Sequence, residues 1–163
     1  MEYHPLQQPE EITEREKEDA MGAYLMMFAA VAIGLPLPVI NLIAAIIYYF
    51  VNRKKSRFIH FHCLQALLSQ IPTTLINWGA VIWGVGIFFK EDWIITDLFW
   101  AYLIFAGLTT LLYFIVSILA AYRARQGRMY YFLFFGKLAY GVAYRADSIH
   151  NVTNSAPMNK SPF

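Results

Sequence analysis

A chain of 163 residues is long enough for one domain. It is 58% hydrophobic and 17% aromatic, with 15% charged residues, a net charge of +2 and one cysteine. Soluble domains carry about 25% charged residues, so the composition excludes an ordinary soluble core and a strongly basic nucleic-acid binder, and the lone cysteine excludes an intrachain disulfide.

The charges are unevenly placed. None falls between Gly22 and Asn52, between Phe58 and Phe89, or between Leu98 and Tyr122. Apolar runs longer than about 18 residues read as membrane spans. The expected fold is therefore all-α: a polytopic membrane protein with four transmembrane helices, the first two short and separated by a Gly/Pro break. Residues 20–145 form the membrane domain, between a polar tail at 1–19 and a disordered polar tail at 146–163.

The 1–19 segment holds seven acids against Arg15 and Lys17, a net of −5. Thr13 and Glu16 have the spacing of a capping box, which predicts a short solvated helix feeding the first apolar run. Residues 21–51 are too long for one straight span. Gly34-Leu35-Pro36-Leu37-Pro38 interrupts them, because proline lacks the backbone donor and disfavours helix just before itself. Two short helices are expected, about 20–34 and 37–52, which cross twice as a short hairpin, re-enter, or act as one broken helix with the amino terminus outside; the paired prolines favour two crossings.

Arg53, Lys54, Lys55 and Arg57 form a first basic loop. The third segment, 58–89, contains Pro72. Lys90, Glu91 and Asp92 connect it to a fourth segment, 94–123, in which Tyr102, Ala106, Thr109, Tyr113, Ser117 and Ala120 share one side. A short connection makes the two an antiparallel hairpin. Arg123, Arg125 and Arg128 form the second basic loop, with Gly127 as a turn. The excess of Lys and Arg places both basic loops in the cytoplasm. The chain then reads as a multi-pass protein of the inner (cytoplasmic) membrane with both termini cytoplasmic. The aromatic stretch 130–135 is too short to span. With Lys137 and Arg145 nearby it reads as interfacial.

The third segment carries the candidate functional residues. At about 100° per residue, His62, Gln65, Ser69, Gln70, Thr73 and Asn77 fall within an arc of roughly 140°. Arg57 and His60 precede them. Lipid cannot satisfy such an arc, so it meets protein, water or substrate. Hydrogen-bonded helix packing is one reading, and a hydrated face lining a passage is the other. His60 and His62 point about 200° apart on a helix and cannot chelate one ion. No metal site, cofactor, phosphate loop or nucleophile elbow is read, and no catalytic residue; the chain is not expected to be an enzyme. The expected partners are the lipid bilayer and a second copy or other membrane subunits, without nucleic acid.

Residues 56–71, SRFIHFHCLQALLSQI, resemble a family motif. Phe58, Ile59, Phe61, His62, Gln65, Ala66, Leu67 and Leu68 fit the pattern of small four-helix bacterial membrane proteins related to the twenty-kilodalton subunit of the chloroplast inner-envelope protein-import translocon (Tic-like). The Phe-Gly-Lys-Leu run ending at Leu138 fits as well. The resemblance implies four helices, both termini on the cytoplasmic side, and a component of a protein or solute passage. Two alternatives stand beside it: a non-catalytic accessory subunit of a larger membrane complex, and a small-molecule-binding subunit of a membrane enzyme, resting on His60, His62 and the aromatics.

Overall fold

A computed structural model describes residues 4–29, 38–89 and 95–145. The Gly34–Leu37 break, the Lys90–Asp92 connection and the tail from residue 146 lie outside the described residues. Five α-helices are described, with no strand among them: α1 (Glu14–Leu25), α2 (Pro38–Asn52), α3 (Arg57–Phe89), α4 (Asp97–Arg125) and α5 (Phe135–Ala143). A 3-10 turn, Met26–Phe28, follows α1.

The helix ends follow local chemistry. The Thr13 hydroxyl accepts from Glu16 N, and the Glu16 carboxylate accepts from Thr13 N, which is the reciprocal cap expected of this spacing. α2 opens on Pro38, where a missing N–H costs nothing. Thr96 caps α4 by accepting from Phe99 N. α4 ends in a Schellman turn: Gly127 N donates to Ala124 O, Arg128 N to Arg123 O, and Gly127 sits at φ 71°. α3 runs through Pro72 as one 33-residue helix.

Among the described residues, two helices, α3 and α4, are long and apolar enough to cross a membrane. This corrects the expectation of four spans to two among the described residues; the first expected helix, about 20–34, lies partly outside them. α1 carries Glu14, Glu16, Glu18 and Asp19 and is only 12 residues long. α2, with 15 residues, reaches about 22 Å, short of a hydrocarbon core of about 30 Å. α3 and α4 form an antiparallel hairpin: Tyr102 Oη donates to Ile76 O, Asn77 Nδ2 to Thr110 Oγ1, and the Trp83 and Phe99 rings sit 5.7 Å apart.

The hairpin has its polarity turned inward. α4 buries Ala106, Ser117, Ala120, Ala121 and Ala124, and exposes Leu108, Leu111, Leu112 and Ile115. α3 buries Ser69, Gln70, Thr73 and Thr74, and exposes Leu75, Ile82, Val85 and Phe88. Small and polar groups inside with bulky aliphatic groups outside is the arrangement that lipid, not water, stabilises.

The basic ends of α3 and α4 meet at one end of the hairpin, and α1 packs across both. The acidic segment runs into this helix, and Glu14 and Glu18 stay exposed to solvent. Ala20, Ala23 and Tyr24 of α1 are buried against Phe58, Ile59 and Cys63 of α3 and Ala120, Ala121 and Ala124 of α4. The acids face the basic loops. Asp19 pairs with Lys55 at 2.8 Å, and Glu14 and Glu18 pair with Arg125. The hydrogen bond from Lys17 and the Arg125 guanidinium hold the Glu14 carboxyl down at about 2, from an ordinary 4.5. A depressed carboxylate contributes stability above its unfolded value and loses it as pH falls through its folded value. The Lys17 part of this effect is internal to α1; the part that Arg125 supplies to docking should be constant above about pH 4.5 and be lost between about 4.5 and 2. Hydrogen exchange of the α1 amides in detergent checks this; exchange that does not change across that window would show the ion pairs to be idle. These pairs are exposed, so high salt should loosen them as well.

Candidate functional site

The polar arc of α3 falls into three groups. At its start, outside the arc proper, Arg57 Nη2 lies 3.1 Å from His4 Nε2, and His60 Nε2 lies 3.2 Å from the Tyr49 hydroxyl of α2. His60 thus faces α2, away from the rest. The Arg53 guanidinium lies 4.8 Å from the centre of the Phe50 ring.

The second group is a buried junction around His62 and Gln65, both fully enclosed. Gln65 Nε2 donates to the Tyr24 hydroxyl at 2.8 Å and to the Tyr130 carbonyl at 2.8 Å. Its Oε1 accepts from Phe132 N at 3.1 Å. Tyr24, its oxygen engaged as acceptor, is left to donate to His62 Nδ1 at 2.9 Å. That assignment puts the imidazole proton on Nε2, which has no hydrogen-bond partner among the described residues. The rings of Phe58 and Phe61 pack edge-on to the imidazole, at 4.5 and 4.9 Å. One side chain, Gln65, therefore ties α1, α3 and the segment that returns after α4 into one unit.

The third group lies within the hairpin. Ser69, Gln70 and Thr73 are buried, and Ser69 Oγ donates to Ala66 O. Asn77 Nδ2 donates to both Thr73 O and Thr110 Oγ1. The partner is Thr110, one residue on from the Thr109 named on the polar side of the fourth segment; Thr109 bonds Phe105 O of its own helix. Interhelical hydrogen bonds of this kind are worth about 0.6–2 kcal/mol in membranes. Asn77→Leu should accordingly lower hairpin stability by about 1 kcal/mol without preventing insertion. Unfolding of the purified variant in detergent is the check, and stability equal to the wild type would remove Asn77 from the set that joins the helices.

Tyr24, the Tyr130 carbonyl and the Phe132 amide carry no local signal in the sequence, and Glu14, Glu18 and Asp19 read there only as solvated charge. The complementary signs of the 1–19 segment and the two basic loops were the available signal. Among the described residues, no three His, Cys, Asp or Glu side chains converge as a metal site.

A family model matches the chain from residue 16 to residue 139, from the first turn of α1 into α5. The chain belongs to the magnetosome magnetite crystal formation protein family, MamF/MmsF. No curated protein and no solved structure shows significant similarity to it. As a MamF/MmsF protein it is membrane-related, which agrees with two apolar helices fit to cross a bilayer.

The match overturns the resemblance to the chloroplast import subunit, and with it the passage for proteins or solutes. The physical reason lies in the motif itself. Phe58, Ile59, Phe61, His62, Gln65 and Ala66 are all buried, where α3 is surrounded by α1, α4 and α5. Packing of that kind selects aromatic, small and hydrogen-bonding residues in any small helical membrane protein. The motif reports a crowded helix end rather than a shared activity.

Proposed function

We propose that this MamF/MmsF protein takes part in forming magnetite crystals as a non-catalytic, integral component of the magnetosome membrane. The family match across residues 16–139 carries this reading. The inward-turned hairpin supports membrane residence. The absence of a role in catalysis is supported by how the polar groups are used: those of Tyr24, Gln65, Asn77 and Tyr102 are consumed in hydrogen bonds between chain segments. The exposed aliphatic faces of α3 and α4 meet lipid and, in the plane of the membrane, a second copy or other proteins of the same membrane. The excess of cations at Arg53, Lys54, Lys55, Arg123 and Arg128 supports a cytoplasmic position for the α1 end of the hairpin.

Removing the gene from its host and imaging the crystals by electron microscopy tests the proposal. Smaller or misshapen magnetite particles, restored by the wild-type gene, are the expected result. Particles of unchanged number, size and shape would count against it.

A further inference from the structure

α5 and the two residues before it have the wrong surface for water. α5 buries Gly136, Ala139, Tyr140 and Ala143, its small residues and one tyrosine, against α3. It exposes Leu138 and Val142. Leu133 and Phe134, just upstream, are 85% and 74% exposed. The sequence alone placed the interfacial contact on the aromatics of 130–135. In the fold, Phe132 is buried, the Tyr130 carbonyl is taken by Gln65, and Tyr131 packs on Phe61. The apolar surface that remains outside is Leu133, Phe134, Leu138 and Val142.

Two observations say what covers it. The first is continuity: α5 packs beside Phe61 and Leu64 of α3, and the outward aliphatic face of the same helix begins at Ile71 and Leu75. The second is charge. From Leu98 to Arg145 the chain has no Asp or Glu, and Arg123, Arg128, Lys137 and Arg145 flank the segment. An apolar face among cations fits the boundary of a bilayer that holds anionic phospholipid.

We propose that residues 133–142 form a lipid-facing foot. Leu133, Phe134, Leu138 and Val142 lie in the acyl–headgroup boundary of the bilayer that holds α3 and α4, and the flanking cations meet anionic headgroups. The foot is a membrane contact that does not span. It depends on membrane residence, not on a role in crystal formation.

Spin labelling of the full chain tests it. Cys63→Ala removes the native thiol, and nitroxides are placed singly through Leu138→Cys, Val142→Cys and, as a control in the span, Leu108→Cys. The protein is reconstituted in nanodiscs of phosphatidylcholine, with or without phosphatidylglycerol. Labels at 138 and 142 should be more accessible to oxygen than to an aqueous nickel chelate, at a depth shallower than 108. Phosphatidylglycerol should deepen them, and Lys137→Glu with Arg145→Glu should abolish that response. Greater nickel than oxygen access at 138 and 142 would overturn the foot, and so would exclusion of both reagents, since that means protein covers the face. Nickel access at 108 as well would remove the bilayer from the span and the foot together. Depth unchanged by phosphatidylglycerol would overturn the assignment to anionic lipid.

Discussion

Gln65→Leu should unfasten the end of the protein where α1 crosses the hairpin. The glutamine side chain fills three hydrogen-bonding roles at once, to the Tyr24 hydroxyl, the Tyr130 carbonyl and the Phe132 amide. Leucine has similar bulk, so the change removes the partners and leaves the space filled. Each buried group left without a partner costs about 1–3 kcal/mol. The Phe132 amide and the Tyr130 carbonyl lose their Gln65 partner, and Tyr24 keeps His62. A loss of about 3 kcal/mol is expected in total. Thermal unfolding in detergent reads it directly, with α1 exchanging its amides faster than in the wild type. Gln65→Glu should rescue at most in part, because an ionised carboxyl donates nothing and a protonated one donates once, where the amide donates to both Tyr24 and Tyr130. A Gln65→Leu protein as stable as the wild type would show that the junction does not hold α1 in place.

Gly136→Ala is expected to come second. A Cβ at this position would lie 2.8 Å from Tyr131 Cα, 2.8 Å from Tyr131 Cβ and 2.9 Å from Gln65 Oε1. The first of these is backbone and cannot swing aside. α5 must shift off α3, or the Tyr131 segment must move and disturb the neighbouring Tyr130–Gln65 bond. Overpacking of this kind costs about 1–3 kcal/mol. Gly84→Ala is the matched control, since nothing lies within 4 Å of a Cβ there; it should be neutral or slightly stabilising through helix propensity. Gly22→Ala and Gly79→Ala fall between, because the groups in the way are the phenol ends of Tyr48 and Tyr102. Equal stability of the 136 and 84 variants would contradict the close approach of α5 to the Gln65 junction.

Much of this fold is legible in the sequence where the signal is local. The capping box at Thr13 and Glu16, the turn at Gly127 and the limits of α3 follow from spacing and residue type. The polar arc from His62 to Asn77 follows from helical periodicity, and the structure turns that arc inward, with His62, Gln65, Ser69, Gln70 and Thr73 buried. What the sequence hides is long-range pairing. Tyr24 meets a histidine 38 positions away, and Glu14 meets an arginine 111 positions away. The acids of α1 find their partners only across the fold, so their pairing is signalled by the complementary charge of the two basic loops and by nothing local. The spans differ among the described residues for a related reason: hydropathy sees an apolar stretch that begins at Met21, whereas α1 ends at Leu25 and takes four acids with it. The family went astray because aromatic, small and hydrogen-bonding residues recur wherever helices crowd inside a membrane.

Co-purification with the crystals tests the central claim most directly. The full chain, tagged at its amino terminus and expressed from its own locus, is followed through cell lysis and magnetic separation. The account predicts enrichment in the magnetic fraction over the remaining membranes, and retention there through alkaline carbonate, which strips peripheral proteins. A chain found chiefly in non-magnetic membranes, or released by carbonate, would contradict an integral component of the magnetosome membrane.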